Sequence, residues 1–163
     1  MRPGGIAAFI LVLSCGGTET PHPAGTCMVT LSGAVNTQFD CTLAFMFWGA
    51  AQGGTFSLLT AGNETGYVAT AVIRLAEEPR AGLSWSSADP GSAYGSLAVV
   101  SDTGAWTVDA AQPAYTLTIS NLGVGGGVPG SKAWPSVHGT LSATLVPSPD
   151  SLATGTVTLS ATF

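Results

Sequence analysis

Charge is scarce in this 163-residue chain, in which Asp, Glu, Lys and Arg together make up 8% of the residues. Four cations face nine carboxylates, and the formal net charge is −5. Nucleic acids and anionic membranes both recruit proteins through clustered Lys and Arg. So few cations exclude nucleic acid as a partner and give no attraction to an anionic membrane surface.

Helical periodicity is also missing, since no long window repeats apolar residues at i, i+3 and i+4. Hydroxyl groups take the place of charge: the chain has 20 Thr and 16 Ser, together with 22 Gly and 10 Pro. Thr favours strands, whereas Gly and Pro favour turns. This composition predicts many short strands joined by tight turns.

The catalytic motifs that depend on a fixed spacing are absent, because the chain has no GxSxG, no Ser-x-x-Lys and no HExxH. Its two histidines are His22, between two prolines, and His138, which shares a strand face with Thr140 and Ser142. Both are expected to be solvated. We therefore predict that the protein is not an enzyme, with no catalytic residue, no metal site and no cofactor.

One nucleotide-binding pattern is present, GxGxxG at 125–130. Phosphate binding by this motif needs a helix directly after it, because the N–H groups at the helix N-terminus hold the anion. Pro129 and Pro135 interrupt any such helix. We expect a mobile glycine loop instead.

Apolar and polar residues alternate along most of the chain from Cys27 onward, which is the pattern of half-buried strands. We predict an all-β fold, an antiparallel β-sandwich of about 8–10 strands. A small β-barrel of about 8 strands is the alternative, because Phe163 ends the chain on an alternating strand, as in many outer-membrane barrels. The sequence TLSATL at 140–145 is echoed by TLSATF at 158–163, which predicts two similar strands with one face in the core and one in solvent.

Two of the three cysteines are placed to form a disulfide. Cys27 alternates with polar residues alongside Val29 and Leu31, and Cys41 belongs to an apolar stripe over 39–47. Because alternate strand residues share a face, both sulfurs are expected on the core side of neighbouring strands. The Cys-x13-Cys spacing matches no common zinc pattern, so a buried Cys27–Cys41 disulfide is predicted.

The tryptophans indicate where a ligand would bind. Trp48 lies opposite the apolar stripe by parity, and Trp134 lies between the glycine loop and a proline, so both are expected to be exposed. An exposed Trp can stack on a sugar ring or anchor a protein partner. Trp48 and Trp134 are therefore the candidate ligand-binding residues, whereas Trp85 and Trp106 are expected in the core.

The N-terminal segment resembles a known export signal. Arg2 is followed by an apolar run at 6–13 and then by Ser14-Cys15-Gly16. A membrane-spanning helix needs roughly 20 apolar residues, so this short run fits a cleaved signal peptide. Its end resembles the lipobox of bacterial lipoproteins, which implies that Cys15 is lipidated and begins the mature protein. Ordinary signal-peptide cleavage nearby, giving a secreted protein, is the alternative.

This resemblance divides the chain into a signal peptide at 1–14, a lipidated N-terminus and flexible linker at 15–26, and one domain at 27–163. The mature chain carries three cations against nine carboxylates, 3 − 9 = −6. We expect an outer-membrane lipoprotein of the bacterial cell envelope, facing the periplasm or the cell surface.

The expected function is that of a non-catalytic binding or interaction module. Its partners would be the membrane, through the lipid, and a glycan or an envelope protein. An outer-membrane β-barrel protein and a hydrolase with an unrecognised site are the alternative functions.

Overall fold

The computed structural model describes residues 27–60, 65–88, 95–108 and 115–163, and every regular element in them is a β-strand. In that part of the chain, no helix is long and apolar enough to cross a membrane. The thirteen strands are β1 (Met28–Gly33), β2 (Thr37–Asp40), β3 (Leu43–Gly49), β4 (Gly53–Leu59), β5 (Val68–Leu75), β6 (Ser84–Ser86), β7 (Gly95–Ser101), β8 (Gly104–Val108), β9 (Tyr115–Leu122), β10 (Gly126–Val128), β11 (Ser131–Trp134), β12 (Val137–Pro147) and β13 (Val157–Thr162).

The strands form one antiparallel sheet that is strongly curled into a half-barrel. Eleven of them follow the order β10-β11-β3-β4-β5-β7-β8-β12-β13-β1-β2, and β9 and β6 form a branch from β12. The prediction of an all-β antiparallel fold is confirmed. The sheet is continuous rather than divided into the two layers of a sandwich, and it does not close into the alternative barrel.

The length of β12 explains the branch. Residues 137–143 of this strand pair with β9, and residues 145–147 pair with β8 along the same edge. Strand β13 covers the other edge. A strand shared in this way gives the sheet two arms, one made of β9 and β6 and the other beginning with β8 and β7.

The core fills the inside of the curl. Buried apolar side chains from both arms form a single cluster, which includes the predicted core residues Trp85 and Trp106. Phe56 of β4 contacts Phe163, which follows β13, with ring centroids 4.9 Å apart. Since β4 and β13 face each other across the core, their outer faces point to opposite sides of the domain.

The chain changes pairing partner between two adjacent residues. The Cys41 N–H donates to the Cys27 carbonyl at 3.0 Å, which extends the β1–β2 pair. The next N–H, of Thr42, donates to the Leu59 carbonyl at 2.9 Å, at the end of β4. One peptide step therefore joins β2, at one end of the strand order, to β3, near the other end.

This crossing interrupts the strand predicted over 39–47 and reverses its parity. Leu43, expected in the core, is 44% exposed, whereas Met46, expected outside, is 0% exposed. The predicted stripe is therefore wrong beyond Cys41. Alternation alone cannot reveal a break that arises because successive residues bond to different strands.

The glycine-rich segment forms a hairpin rather than the expected mobile loop. Strands β10 and β11 pair with each other, and β11 pairs with β3, so the segment extends the sheet. Pro129 and Gly130 make the turn, with Gly130 at φ +84°, a left-handed conformation that glycine adopts readily. A strand follows the motif, so it lacks the helix that a phosphate site requires.

Candidate binding faces

The two outer surfaces of the curled sheet differ in chemistry. On β6, β9, β12, β13 and β1, Ser and Thr dominate the outward positions. We call this surface the hydroxyl face, and its residues are Thr30, Ser32, Ser84, Thr116, Thr118, Thr140, Ser142, Thr144, Thr158, Ser160 and Thr162. All of these are exposed except Thr118, which is half-buried.

Strand register arranges these hydroxyls in rows. The rows are Thr118–Thr140–Thr162, Thr116–Ser142–Ser160–Thr30 and Thr144–Thr158–Ser32. Neighbouring strands lie about 4.8 Å apart, and alternate residues of one strand lie about 7 Å apart. The hydroxyl face is therefore a regular two-dimensional grid of donors and acceptors.

The repeated sequence TLSAT accounts for the centre of the grid. Residues 140–144 and 158–162 pair antiparallel, so that Thr meets Thr and Ser meets Ser. On the core side, Leu141 lies opposite Ala161, and Ala143 lies opposite Leu159. Both strands have one buried and one exposed face, as predicted, and each large core residue meets a small one.

Hydrogen-bonding capacity on this face comes without charge. Asp40 of β2 and His138 of β12 lie at its borders. Among the described residues, one hydroxyl pair within the grid is hydrogen-bonded, Ser84 Oγ and Thr118 Oγ1 at 3.1 Å. Each remaining hydroxyl can donate one hydrogen bond and accept two.

On β3, β4, β5 and β7, large apolar side chains occupy many of the outward positions. We call this surface the apolar face, and its residues are Leu43, Phe45, Phe47, Leu59, Val68, Val72 and Val100. The two Phe are half-buried, and the other five are exposed. Register places Leu43 beside Leu59 and Val68 beside Val100. Val72 lies between Ser57 and Ser96.

Neither candidate tryptophan lies on either outer face. Trp134 is only 7% exposed, and a Cβ atom on Gly125 would lie 2.6 Å from its Nε1. Trp48 is half-buried and packs against the core, with its ring next to Gly54. The predicted exposure is wrong for Trp134 because the glycine-rich segment folds back as a hairpin. Trp48 is only partly exposed because parity reverses after Cys41.

The predicted disulfide is present, and it joins Cys27 to Cys41 with their Cα atoms 5.2 Å apart. Both cysteines are half-buried and pack against the core. Their burial is less complete than parity predicts because each lies just outside its strand, β1 beginning at Met28 and β2 ending at Asp40. Cys15, the predicted lipid site, lies outside the described residues.

Charged side chains near the end of β5 form ion pairs. Lys132 Nζ lies 2.5 Å from Glu78 Oε1, and Arg80 Nη2 lies 3.8 Å from Glu77 Oε2. These side chains are about half exposed or more, so each pair contributes at most about 1 kcal/mol. Within the described ranges, no group of three His, Cys, Asp or Glu could hold a metal ion. His138 is exposed on β12, as predicted.

In the part of the chain that the structure describes, two buried polar side-chain atoms have no hydrogen-bond partner, Trp85 Nε1 and Tyr115 Oη. Their side chains are buried on the paired strands β6 and β9. The sequence pattern places both residues inside, but it contains no signal for whether their polar atoms find partners.

No known family, curated protein or solved structure matches this chain. The T-x-S-x-T pattern at 140–144 and 158–162 contains the centre of the hydroxyl grid, but neither face as a whole is visible in the sequence, because each combines strands that are distant along the chain.

Proposed function

We propose that this chain is a non-catalytic binding module of the bacterial cell envelope, held there by a lipid on Cys15. In this proposal the hydroxyl face binds a neutral, hydroxyl-rich polymer such as a glycan. The observation that carries the proposal is the grid of Ser and Thr on five adjacent strands with no charged residue among its members.

Protein surfaces ordinarily carry interspersed charged residues, which keep the protein soluble and prevent association. The hydroxyl face instead holds uncharged donors and acceptors, which match the hydroxyls of a sugar. A neutral polymer also avoids the cost of removing water from a charged group. An anionic polymer would be repelled by the net charge of −5.

Lipidation at Cys15 would keep the module at the outer membrane, facing the periplasm or the cell surface. We expect Cys15→Ser to abolish acyl labelling and to release the protein from membranes. Stable attachment requires more than one acyl chain, because a single chain binds only marginally. Unchanged membrane association of Cys15→Ser would contradict the anchor, and a soluble, unlabelled parent would support the secreted alternative.

Binding is tested with a panel of neutral and anionic envelope glycans and the full-length protein. The test variant is the double substitution Thr116→Val and Thr140→Val, which removes two exposed hydroxyls. Val has nearly the shape of Thr and also favours strands, so the fold is retained. Each lost hydrogen bond weakens binding by about 0.5–1.5 kcal/mol, so the Kd should rise roughly tenfold.

The matched control is Thr55→Val with Thr70→Val, at outward positions of β4 and β5 among the apolar residues. It should leave glycan affinity unchanged. Equal effects of both double variants, binding of anionic glycans alone, or binding of no glycan would overturn the proposal. Capture of an envelope protein in place of a glycan would also overturn it.

A further inference from the structure

Cys27, the residue at which the described chain begins, lies near one corner of the apolar face. Its disulfide partner Cys41 lies 5.2 Å away, Cα to Cα. Leu43 follows Cys41 by two residues, so its Cα lies at most about 7.6 Å further on. Cys27 therefore lies within roughly 13 Å of the first residue of the apolar face. Cys27 also directly precedes Met28, which pairs with Thr162 of the hydroxyl face, so both faces are near this end of the domain and their chemistry decides which one meets a bilayer.

The apolar face differs from the scattered apolar side chains that any protein surface carries. Its exposed members lie on four adjacent strands, and two of them, Val72 and Val100, are 43% and 47% exposed. Ser57, Thr70 and Ser96 lie between these residues, but their side chains are small and uncharged. Clusters of exposed apolar side chains mark sites of contact with a protein or a membrane.

The charge on these strands is a single cation. Strands β3, β4, β5 and β7 contain no carboxylate, and their one charged residue is Arg74, on the outward side of β5. Among the described residues, Arg74 makes no ion pair, whereas Arg80 and Lys132 are both paired with Glu. An exposed guanidinium at the edge of an apolar surface is suited to a lipid phosphate, with its stem along the apolar surface.

The length of the connecting segment limits where the domain can be. Twelve residue steps separate Cys15 from Cys27, which span at most about 40 Å even when fully extended. A domain confined so near a bilayer meets it at a high effective concentration. Weak apolar contacts are then sufficient for docking.

We propose that the apolar face lies on the lipid bilayer, at the boundary between headgroups and acyl chains. This inference rests on the proposed anchoring through Cys15. Because the Phe56–Phe163 contact sets β4 and β13 on opposite sides of the core, the hydroxyl face would then point away from the membrane. Apolar burial drives this docking, so it requires no basic surface.

The test uses the full-length acylated protein in vesicles of phosphatidylethanolamine and phosphatidylglycerol. An environment-sensitive fluorophore is attached at Ser96→Cys, beside Val72, or at Ser142→Cys on the hydroxyl face. Both serines are exposed on outward strand positions, so the two variants are a matched pair. Co-sedimentation with vesicles reports the anchor, and the emission wavelength reports the contact.

We expect the Ser96→Cys label to shift to shorter wavelength on vesicles and to be quenched by nitroxide-labelled lipid, while the Ser142→Cys label does neither. Adding Leu59→Asp should return the Ser96→Cys label to its emission in water while co-sedimentation persists. High salt should leave the shift in place, because screening weakens charge attraction but not apolar burial.

Four results would overturn the docking. Co-sedimentation without a shift at Ser96→Cys would refute the contact and leave the anchor intact. Equal shifts at both labels would show that no single face is selected, and a shift that grows with protein concentration before vesicles are added would assign the apolar face to a second copy. Loss of co-sedimentation in the parent would refute the anchor itself, and the docking with it.

Discussion

Phe56 and Phe163 meet in the interior of the curled sheet, with ring centroids 4.9 Å apart and ring planes inclined by 33°. Phe56 comes from β4 in one arm, and Phe163 follows β13 on the other side of β12. This contact therefore joins parts of the sheet that are not neighbours by hydrogen bonding. Because β4 and β13 lie on opposite sides of the core, their outer faces point in opposite directions.

Removing the Phe163 ring should therefore destabilise the whole domain. We expect Phe163→Ala to lower the free energy of unfolding by about 3 kcal/mol, the lower end for a buried Phe because the chain end can adjust. Urea unfolding measures this. The exposed neighbour provides the control, and Thr162→Ser should change stability by less than about 0.5 kcal/mol. Equal effects of the two substitutions would contradict the packing role of the ring.

The disulfide should stabilise the domain because it restricts the conformations of the unfolded chain. Cys27 and Cys41 are 14 residues apart, and closing a loop of this length contributes about 3 kcal/mol in the chain-entropy model. The double variant Cys27→Ala, Cys41→Ala should therefore melt well below the parent in calorimetry. The denatured, non-reduced mature protein should show no titratable thiol once Cys15 is acylated or removed. Two free thiols in that assay would refute the bridge.

Gly139 lies where three strands approach closely. Its N–H donates to the Phe163 carbonyl at 2.7 Å, and a Cβ atom there would overlap the Thr118 carbonyl oxygen. We expect Gly139→Ala to cost about 1–3 kcal/mol in urea unfolding, because the added methyl forces backbone to move. Gly126 is also in a strand but has open space around it, so Gly126→Ala should be near neutral. A neutral Gly139→Ala would indicate that β9 and β12 are further apart than described.

Unlike the substitutions above, removal of the buried Tyr115 hydroxyl should not destabilise the domain. Tyr115 Oη has no hydrogen-bond partner, so burial removes it from water without compensation. Tyr115→Phe keeps the ring and should leave stability unchanged or raise it by about 1 kcal/mol, measured by thermal unfolding. A loss of more than about 1 kcal/mol would mean that the hydroxyl is hydrogen-bonded in solution, for example to a buried water.

Several elements could be predicted from the sequence because the local residue pattern determines them. Alternation correctly placed Val29, Leu31 and the two TLSAT strands, since a strand with one face in water must alternate. The disulfide could also be predicted from the sequence, because Cys27 and Cys41 lie near the open end of a short hairpin.

The errors arose where distant strands determine the local structure. The stripe over 39–47 is broken because Thr42 bonds to β4 while Cys41 bonds to the end of β1, and no residue in that stretch signals the change. The glycine-rich segment became a hairpin because β3 offers it an edge to pair with. Trp134 was therefore assigned to the surface although it is buried, and Trp48 is less exposed than its parity in the sequence predicts.

The sequence by itself determined the fold class of this protein. Low charge, abundant Ser and Thr, and period-two alternation specify antiparallel strands with one solvent-exposed face. Only the tertiary structure decided that the strands form one curled sheet, which strands meet across the core, and how the outer positions divide into a hydroxyl face and an apolar face. The physical reason is that side-chain alternation is a property of a single strand. The identity of a strand's neighbours, and hence the chemistry of a whole face, depends on backbone hydrogen bonds between residues that are far apart in the chain.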